Sequence, residues 1–158
     1  MSYDICLFHP VPGESPKITA ARDESPRQAL SQHGRARNQR LGDALRQIYP
    51  GTEVIELDEE TEFVLESAGM TVFIAERDGV INIAYWQSNQ SAHIVALIDA
   101  VLAAIVAETG FLAFDRQSEQ VLTPGLEPAV HAGLFDGGVA AVHSAPAGRQ
   151  RWWKFWQG

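Results

Sequence analysis

The sequence has little sulfur and no motif of a catalytic or metal centre. Cys6 is its only cysteine, which excludes an internal disulfide and any multi-cysteine metal site. The five histidines show neither the i, i+4 spacing nor the cysteine pairing of zinc sites. The chain also lacks a phosphate-binding loop, a dinucleotide glycine fingerprint and a Gly-x-Ser-x-Gly elbow. We therefore assign no catalytic residue, no metal and no cofactor from the sequence.

We predict no segment that directs the chain to a membrane or out of the cell. The chain begins Met-Ser-Tyr-Asp-Ile-Cys-Leu-Phe, without the basic start and apolar stretch of a secretory signal. Its longest apolar run contains Asp99, and an ionised carboxylate is costly in lipid. We therefore predict no transmembrane segment. Together with a single cysteine, which we expect to be a buried structural thiol, this predicts a cytoplasmic protein.

Positive charge is scarce in the middle of the chain. The net charge is −8, and residues 51–148 carry fifteen Asp and Glu against Arg77 and Arg116. Residues 1–50 have a net charge of +2. An acidic body repels nucleic acid and anionic membranes and attracts basic proteins. Composition predicts no nucleic-acid partner and leaves two interpretations of the acids: a surface for a basic protein, or a coat that keeps the domain soluble.

The acidic side chains are densest in residues 53–66. We interpret residues 58–66 as an acidic loop and a candidate docking surface. The alternating acids and central glycine of an EF-hand calcium loop are missing. A glycosidase pair would need a cleft and aromatic platforms, which adjacent loop acids do not supply. The predicted partner-binding acids are Glu53, Glu56, Asp58, Glu59, Glu60, Glu62 and Glu66.

Hydrophobic periodicity predicts an α+β fold. Runs rich in β-forming residues, the first of which also alternates between apolar and polar, predict strands at residues 3–8, 52–57, 70–77, 80–85 and 111–114, with residues 119–123 extending or pairing with the last. Asp78-Gly79 is predicted to be the turn of a hairpin. An amphipathic helix is predicted at residues 35–49, with its arginines mostly on a solvated face. The order β-α-β-β-β-α-β predicts a single, mostly antiparallel sheet with helices packed on one face.

The helix predicted from about residue 89 to residue 109 dominates the core. Ser91 or Asn89 can cap its start, and Gly110 ends it. One face carries an apolar stripe at helical spacing, formed by Ile94, Leu97, Ile98, Val101, Leu102 and Ile105. The flanks of this stripe are also apolar, so we expect the helix to be buried nearly all round. His93 is expected to be a satisfied core histidine. Asp99 requires either a partner or an exit to solvent.

The composition changes after residue 123, so we divide the chain into a core domain of residues 1–123 and an extension of residues 124–158. The extension is rich in Gly, Ala and Pro and ends Arg-Gln-Arg-Trp-Trp-Lys-Phe-Trp-Gln-Gly. Trp152, Trp153 and Trp156 are predicted partner-binding residues that anchor the tail to a protein or to a membrane interface, because Trp and Arg are favoured interface anchors. Alternatively, the tail folds back and covers a face of its own domain.

Three short segments resemble a group of small bacterial proteins of toxin-immunity loci. They are residues 2–8 (SYDICLF), residues 83–86 (IAYW) and residues 109–117 (TGFLAFDRQ). Members of that group begin with a Tyr-Asp strand and carry Thr-Gly, hydrophobic residues and then Tyr-Asp-Pro-Gln. Here Phe114 replaces the tyrosine and Arg116 replaces the proline. The resemblance implies an immunity-type or accessory binding protein, and its motifs are fold markers that carry over no catalytic role.

These observations favour a non-enzymatic protein that binds another protein, with a basic toxin domain as the expected partner. Neutralisation would occur through the acidic surface of residues 53–66. One alternative is a small enzyme or ligand-binding domain with a pocket between the long helix and the sheet, near Trp86, His93 and Asp99. Another is a structural subunit that forms homo-oligomers through its C-terminal tail.

Overall fold

The computed structural model describes residues 2–22, 27–84 and 91–125. Its strands and helices follow one another in this order: β1 Ser2–Phe8, α1 Pro16–Ala21, α2 Gln32–Ile48, β2 Glu53–Glu56, β3 Glu60–Leu65, β4 Met70–Ala75, β5 Asp78–Ala84, α3 Ser91–Thr109, β6 Leu112–Asp115 and β7 Gln120–Leu122. A short 3-10 turn at Glu66–Ala68 links β3 to β4.

All strand pairs described are antiparallel and form one seven-stranded sheet in the order β2-β3-β4-β5-β1-β6-β7. Four strands from β2 to β5 pair with their chain neighbours. β1 lies between β5 and β6, which places the N-terminal strand near the middle of the sheet. The predicted α+β class with a single antiparallel sheet is confirmed.

One face of the sheet packs against α2 and α3 and forms the main core. Alternate residues of β1 point to this face, so Tyr3, Ile5 and Leu7 are buried there. α3 contributes its predicted stripe, of which Val101 and Ile105 have no exposed surface. The two long helices, α2 and α3, therefore cover most of this face of the sheet, as the sequence predicts.

The opposite face, called here the outer face, is covered at one end by α1. Ser15 caps this helix by accepting a hydrogen bond from the Ile18 amide, and Pro16 occupies the first helical position. Ala20 packs against Phe8 and Phe114 on the outer face. The Ser15-Pro16 step therefore begins a helix.

The acidic segment after residue 58 is a strand and not the predicted loop. Thr61, Phe63 and Leu65 in β3 are buried, whereas Glu60, Glu62 and Val64 between them are only partly buried. The sequence contains this alternation of buried and partly buried positions, but the many acidic residues of the segment obscure it. A strand, unlike a loop, fixes which acid points to which face of the sheet.

The hairpin between β4 and β5 is present, but its turn lies two residues earlier than predicted. Ile74 pairs with Gly79, so Glu76 and Arg77 form the connection and Gly79 lies within β5. A Cβ atom on Gly79 would approach the Phe73 carbonyl oxygen to 2.4 Å. Glycine is required here by close packing of the backbone, not by the positive φ of a turn residue.

α2 is fixed to the sheet by polar side chains that the sequence assigns to its solvated side. Arg37 donates to the carbonyl oxygens of Ala75 and Glu76 at 2.7 and 3.1 Å. Its guanidinium lies 5.5 Å from the centre of the Phe111 ring. Burial is the main cause that lowers the pKa of Arg37. The prediction of a solvated arginine is wrong at this position, because the end of β4 supplies acceptors.

α3 is not buried all round, which corrects the sequence-based expectation. His93, Ala96, Ala103 and Ala107 are exposed, so one side of the helix faces solvent and His93 is not a core histidine. Asp99 is partly buried and accepts a hydrogen bond from the Gly125 amide at 3.0 Å. The described helices include none that is long and apolar enough to cross a membrane.

Candidate partner-binding surface

The acidic segment forms the outermost hairpin of the sheet. We call residues 53–62, which comprise β2, its turn and the start of β3, the acidic hairpin. β2 pairs with β3 alone, so its other edge lies at the border of the sheet. The short turn of Asp58 and Glu59 allows Leu57 to donate to the Glu60 carbonyl at 2.9 Å.

The strand register divides the acids between the two faces of the hairpin. Ile55 lies directly opposite Glu62, and Glu53 lies opposite Val64, so these residues share the outer face. Glu56 points to the helix side, where it borders α2. The acidic hairpin therefore presents carboxylates on both sides of one exposed strand.

Most carboxylates of the acidic hairpin have no cationic partner. Glu60 is paired with Arg27. Elsewhere, acids are neutralised by neighbours, as in the Glu108–Arg40 and Glu119–Lys17 pairs at 2.9 and 2.7 Å. Among the described residues, five acids of the acidic hairpin form no ion pair, which concentrates unneutralised charge at this edge: Glu53, Glu56, Asp58, Glu59 and Glu62.

The pKa of Glu62 reflects its partial burial and the crowding of these acids. Burial is the main cause that raises the pKa of this carboxyl, and repulsion from Glu60 and Glu53 raises it further. Ionised Glu62 is thus held in an unfavourable position by the fold. Approach of a cation would relieve the repulsion among the three carboxylates.

Apolar side chains lie among the acids and give the surface a mixed character. Ile55 is 36% exposed and Leu57 is 44% exposed, and both are among the most exposed large apolar residues of the described chain. Interfaces combine such apolar area with a polar rim. The acidic hairpin therefore offers contact area as well as charge.

A groove runs along the helix side of β2, between this strand and α2. It has a volume of about 490 Å³ and is lined by Gln39, Gly42, Asp43, Arg46, Val54 and Glu56. Gly42 keeps the two elements close, because a Cβ atom there would approach Phe63 and Val54 to 3.3 Å. The groove is open and polar at its rim, so it resembles part of a docking surface more than an enclosed ligand site.

Not all predicted site residues belong to this surface. Glu66 begins the 3-10 turn at the far end of β3, about 20 Å along the strand from Glu60 at roughly 3.3 Å per residue. Trp152, Trp153 and Trp156 lie outside the described residues, as does Trp86 of the alternative pocket. The described residues contain no group of three His, Cys, Asp or Glu side chains suited to a metal ion.

Sequence reasoning missed the contribution of Val54, Ile55 and Leu57 to the surface. The β-forming residues of this segment predict a strand, but they do not show that the strand lies at the border of the sheet. Only the pairing of β2 with β3 alone exposes them. β2 is short and charged, and natural edge strands have these two features.

The residues that carry the resemblance to immunity-locus proteins have structural roles. Tyr3 donates to the fully buried Asp115. Thr109 donates to the Ile105 carbonyl and accepts from the Phe111 amide, and Gly110 adopts a φ of +69°. Comparison of the chain with family models, curated proteins and solved structures finds no match. The resemblance therefore stays a prediction.

Proposed function

We propose that the protein is a non-enzymatic binding protein that captures a basic protein partner through the acidic hairpin. The observation that carries the proposal is the set of five hairpin carboxylates without ion pairs among the described residues. The resemblance to immunity-locus proteins favours a toxin domain as the partner. Neutralisation would then occur in the cytoplasm by covering the active site of that toxin.

Electrostatic attraction explains why unpaired acids suit this role. Complementary charge steers the partner during diffusion and raises the association rate, which falls steeply with salt. Ile55 and Leu57 would contribute apolar contact once the complex forms. The charge distribution therefore favours rapid capture, which a protein that neutralises a toxin requires.

The test is coexpression with the products of neighbouring open reading frames, followed by isolation of the complex. We expect a basic partner to copurify with the wild-type chain. The variant Glu53→Lys with Glu59→Lys should slow association at least tenfold at low salt, and raising the salt concentration should reduce the difference.

The matched control is Glu66→Lys with Glu119→Lys, which changes the net charge equally at exposed positions away from the acidic hairpin. Its association rate should stay within about threefold of wild type, since a distant charge contributes little through screened solvent. Equal loss in both variants would show a general charge effect and no specific surface. The absence of any copurifying neighbour would contradict the proposed function.

A further inference from the structure

We propose that the open edge of β2 is the line along which the partner docks, by adding an extended basic segment to the sheet as a further strand. This inference rests on the proposed function and specifies how the partner is held. It requires free backbone groups, space for side chains and a charge that selects the occupant. Each is present at the acidic hairpin.

The register shows which backbone groups are free. Leu57 donates to the Glu60 carbonyl at 2.9 Å, which makes these residues a hydrogen-bonded pair. Such pairs alternate along an antiparallel ladder, so Val54 and Glu56 direct their N–H and C=O groups away from β3. Among the described residues, none forms a hydrogen bond with these four groups. They are the donors and acceptors that an added strand uses.

The chain itself limits the open edge at both ends. Leu30 donates to the Asp58 carbonyl at 2.8 Å, just beyond β2. At the other end, Thr52 donates to the Tyr49 carbonyl at 3.0 Å. The free edge therefore spans residues 53–57, which matches a segment of about five residues at roughly 3.3 Å each.

Space exists on both sides of the edge for the alternating side chains of such a segment. The groove of about 490 Å³ between β2 and α2 would receive those on the helix side, above Val54 and Gly42. Those on the outer face would lie beside Ile55 and Leu57, which are partly exposed. A strand at this edge would therefore bury apolar area as well as form backbone hydrogen bonds.

Charge selects a basic occupant over a second copy of this chain. Glu56 lies on the groove side, and Glu53 and Glu62 lie on the outer face, none with an ion pair among the described residues. Pairing of two β2 edges would bring like charges together across strands, which is destabilising. Lysine or arginine on either side of an added strand would neutralise them.

The experiment uses the full chain and a blocked peptide of sequence Lys-Val-Arg-Ile-Lys-Val, titrated by fluorescence anisotropy. A second peptide has the same sequence with all backbone amides methylated, so it keeps its charge but cannot donate. We expect the methylated peptide to bind at least tenfold more weakly, because strand addition requires its N–H groups. Equal affinity of both peptides, or no binding of the unmodified one, would overturn the inference.

A protein variant tests the same edge from the other side. Glu56→Pro removes an N–H group that β3 does not use, and proline is tolerated at such edge positions. The control Glu56→Gln removes the same charge but keeps the N–H. We expect Glu56→Pro to bind the peptide at least fivefold more weakly than Glu56→Gln, with circular dichroism confirming the fold of both. Equal affinities would contradict strand addition.

These outcomes separate the inference from the proposed function. Partner capture that depends on Glu53 and Glu59 but not on backbone hydrogen bonds would leave the proposed function standing and reject strand addition. If no neighbour product copurifies, the proposed function fails, whatever the peptide result. If the Glu56→Pro variant unfolds, the methylated peptide still decides, because it uses the wild-type protein.

Discussion

At the residue scale, buried polar side chains join segments that are distant in the sequence. Asp115 has no exposed surface and accepts hydrogen bonds from the Tyr3 and Ser118 hydroxyls and from the Gln117 amide, the last at 2.8 Å. This carboxylate ties β1 to the turn that follows β6. Cys6, on the other face, is partly buried and packs against Phe8 and Phe114, and burial raises its pKa to about 11.

We predict that Asp115→Asn will lower the free energy of unfolding by about 1–3 kcal/mol, because the amide group places a donor where the carboxylate accepts three hydrogen bonds. Urea denaturation at pH 7 is the measurement. Tyr3→Phe, which removes one donor and leaves two, should cost less, about 1 kcal/mol. A larger loss in Tyr3→Phe than in Asp115→Asn would contradict the central role of the Asp115 carboxylate.

At the scale of elements, the unpaired charges of the acidic hairpin lower the stability of the fold. Burial and then repulsion from Glu60 and Glu53 raise the pKa of Glu62 from its ordinary value of 4.5. The neutral form of Glu62 is therefore more favoured in the folded state than in the unfolded chain. The protonated Glu62 carboxyl makes its full contribution to stability below pH 4.5. This contribution is lost as the pH rises through the raised pKa of Glu62.

We therefore predict that Glu62→Gln, which mimics the neutral form, stabilises the protein at pH 7 by about 0.5 kcal/mol after allowance for solvent screening. The gain should vanish near pH 3, where the wild-type carboxyl is protonated. Thermal unfolding across this pH range is the measurement. Glu119→Gln is the control, because it removes an exposed acid that is paired with Lys17 and should not stabilise the fold. A variant less stable than wild type at pH 7 would contradict the prediction.

At the scale of the whole molecule, the described sheet and its core lie within the predicted core domain. The main apolar cluster extends from Tyr3 to Leu122, and the Gly125 amide bonds to Asp99. The division into core and extension is itself a prediction that truncation can test.

We predict that a chain ending at residue 125 folds cooperatively, with a free energy of unfolding of at least about 5 kcal/mol. A single transition, coincident in circular dichroism and fluorescence, is the measurement. A chain ending at residue 110, which lacks β6 and β7, is the control and should not fold, since Phe111 and Ala113 leave the core. Loss of the transition in the longer chain would show that residues 126–158 belong to the folding unit.

The sequence by itself determined the elements that local periodicity encodes. The apolar spacing of Leu97, Val101 and Ile105 specifies α3, and the alternation in residues 3–8 specifies β1, because each pattern matches the geometry of its own element. The order of these elements predicted a mostly antiparallel sheet. The numbers of acidic and basic residues in the sequence showed the excess of negative charge. The strand character of Glu60–Leu65 was also encoded, although its acids favoured a loop interpretation.

Only the tertiary structure decided which residues meet. Strand order depends on pairings between distant segments, so nothing local places β2 at the border of the sheet or β1 near its middle. Burial of Arg37 depends on carbonyl groups at the end of β4. Glu60 forms an ion pair with Arg27, whereas Glu62 forms none with the described residues. The candidate surface is therefore a tertiary property: the sequence supplies the acids, and the fold determines which remain unpaired at an open edge.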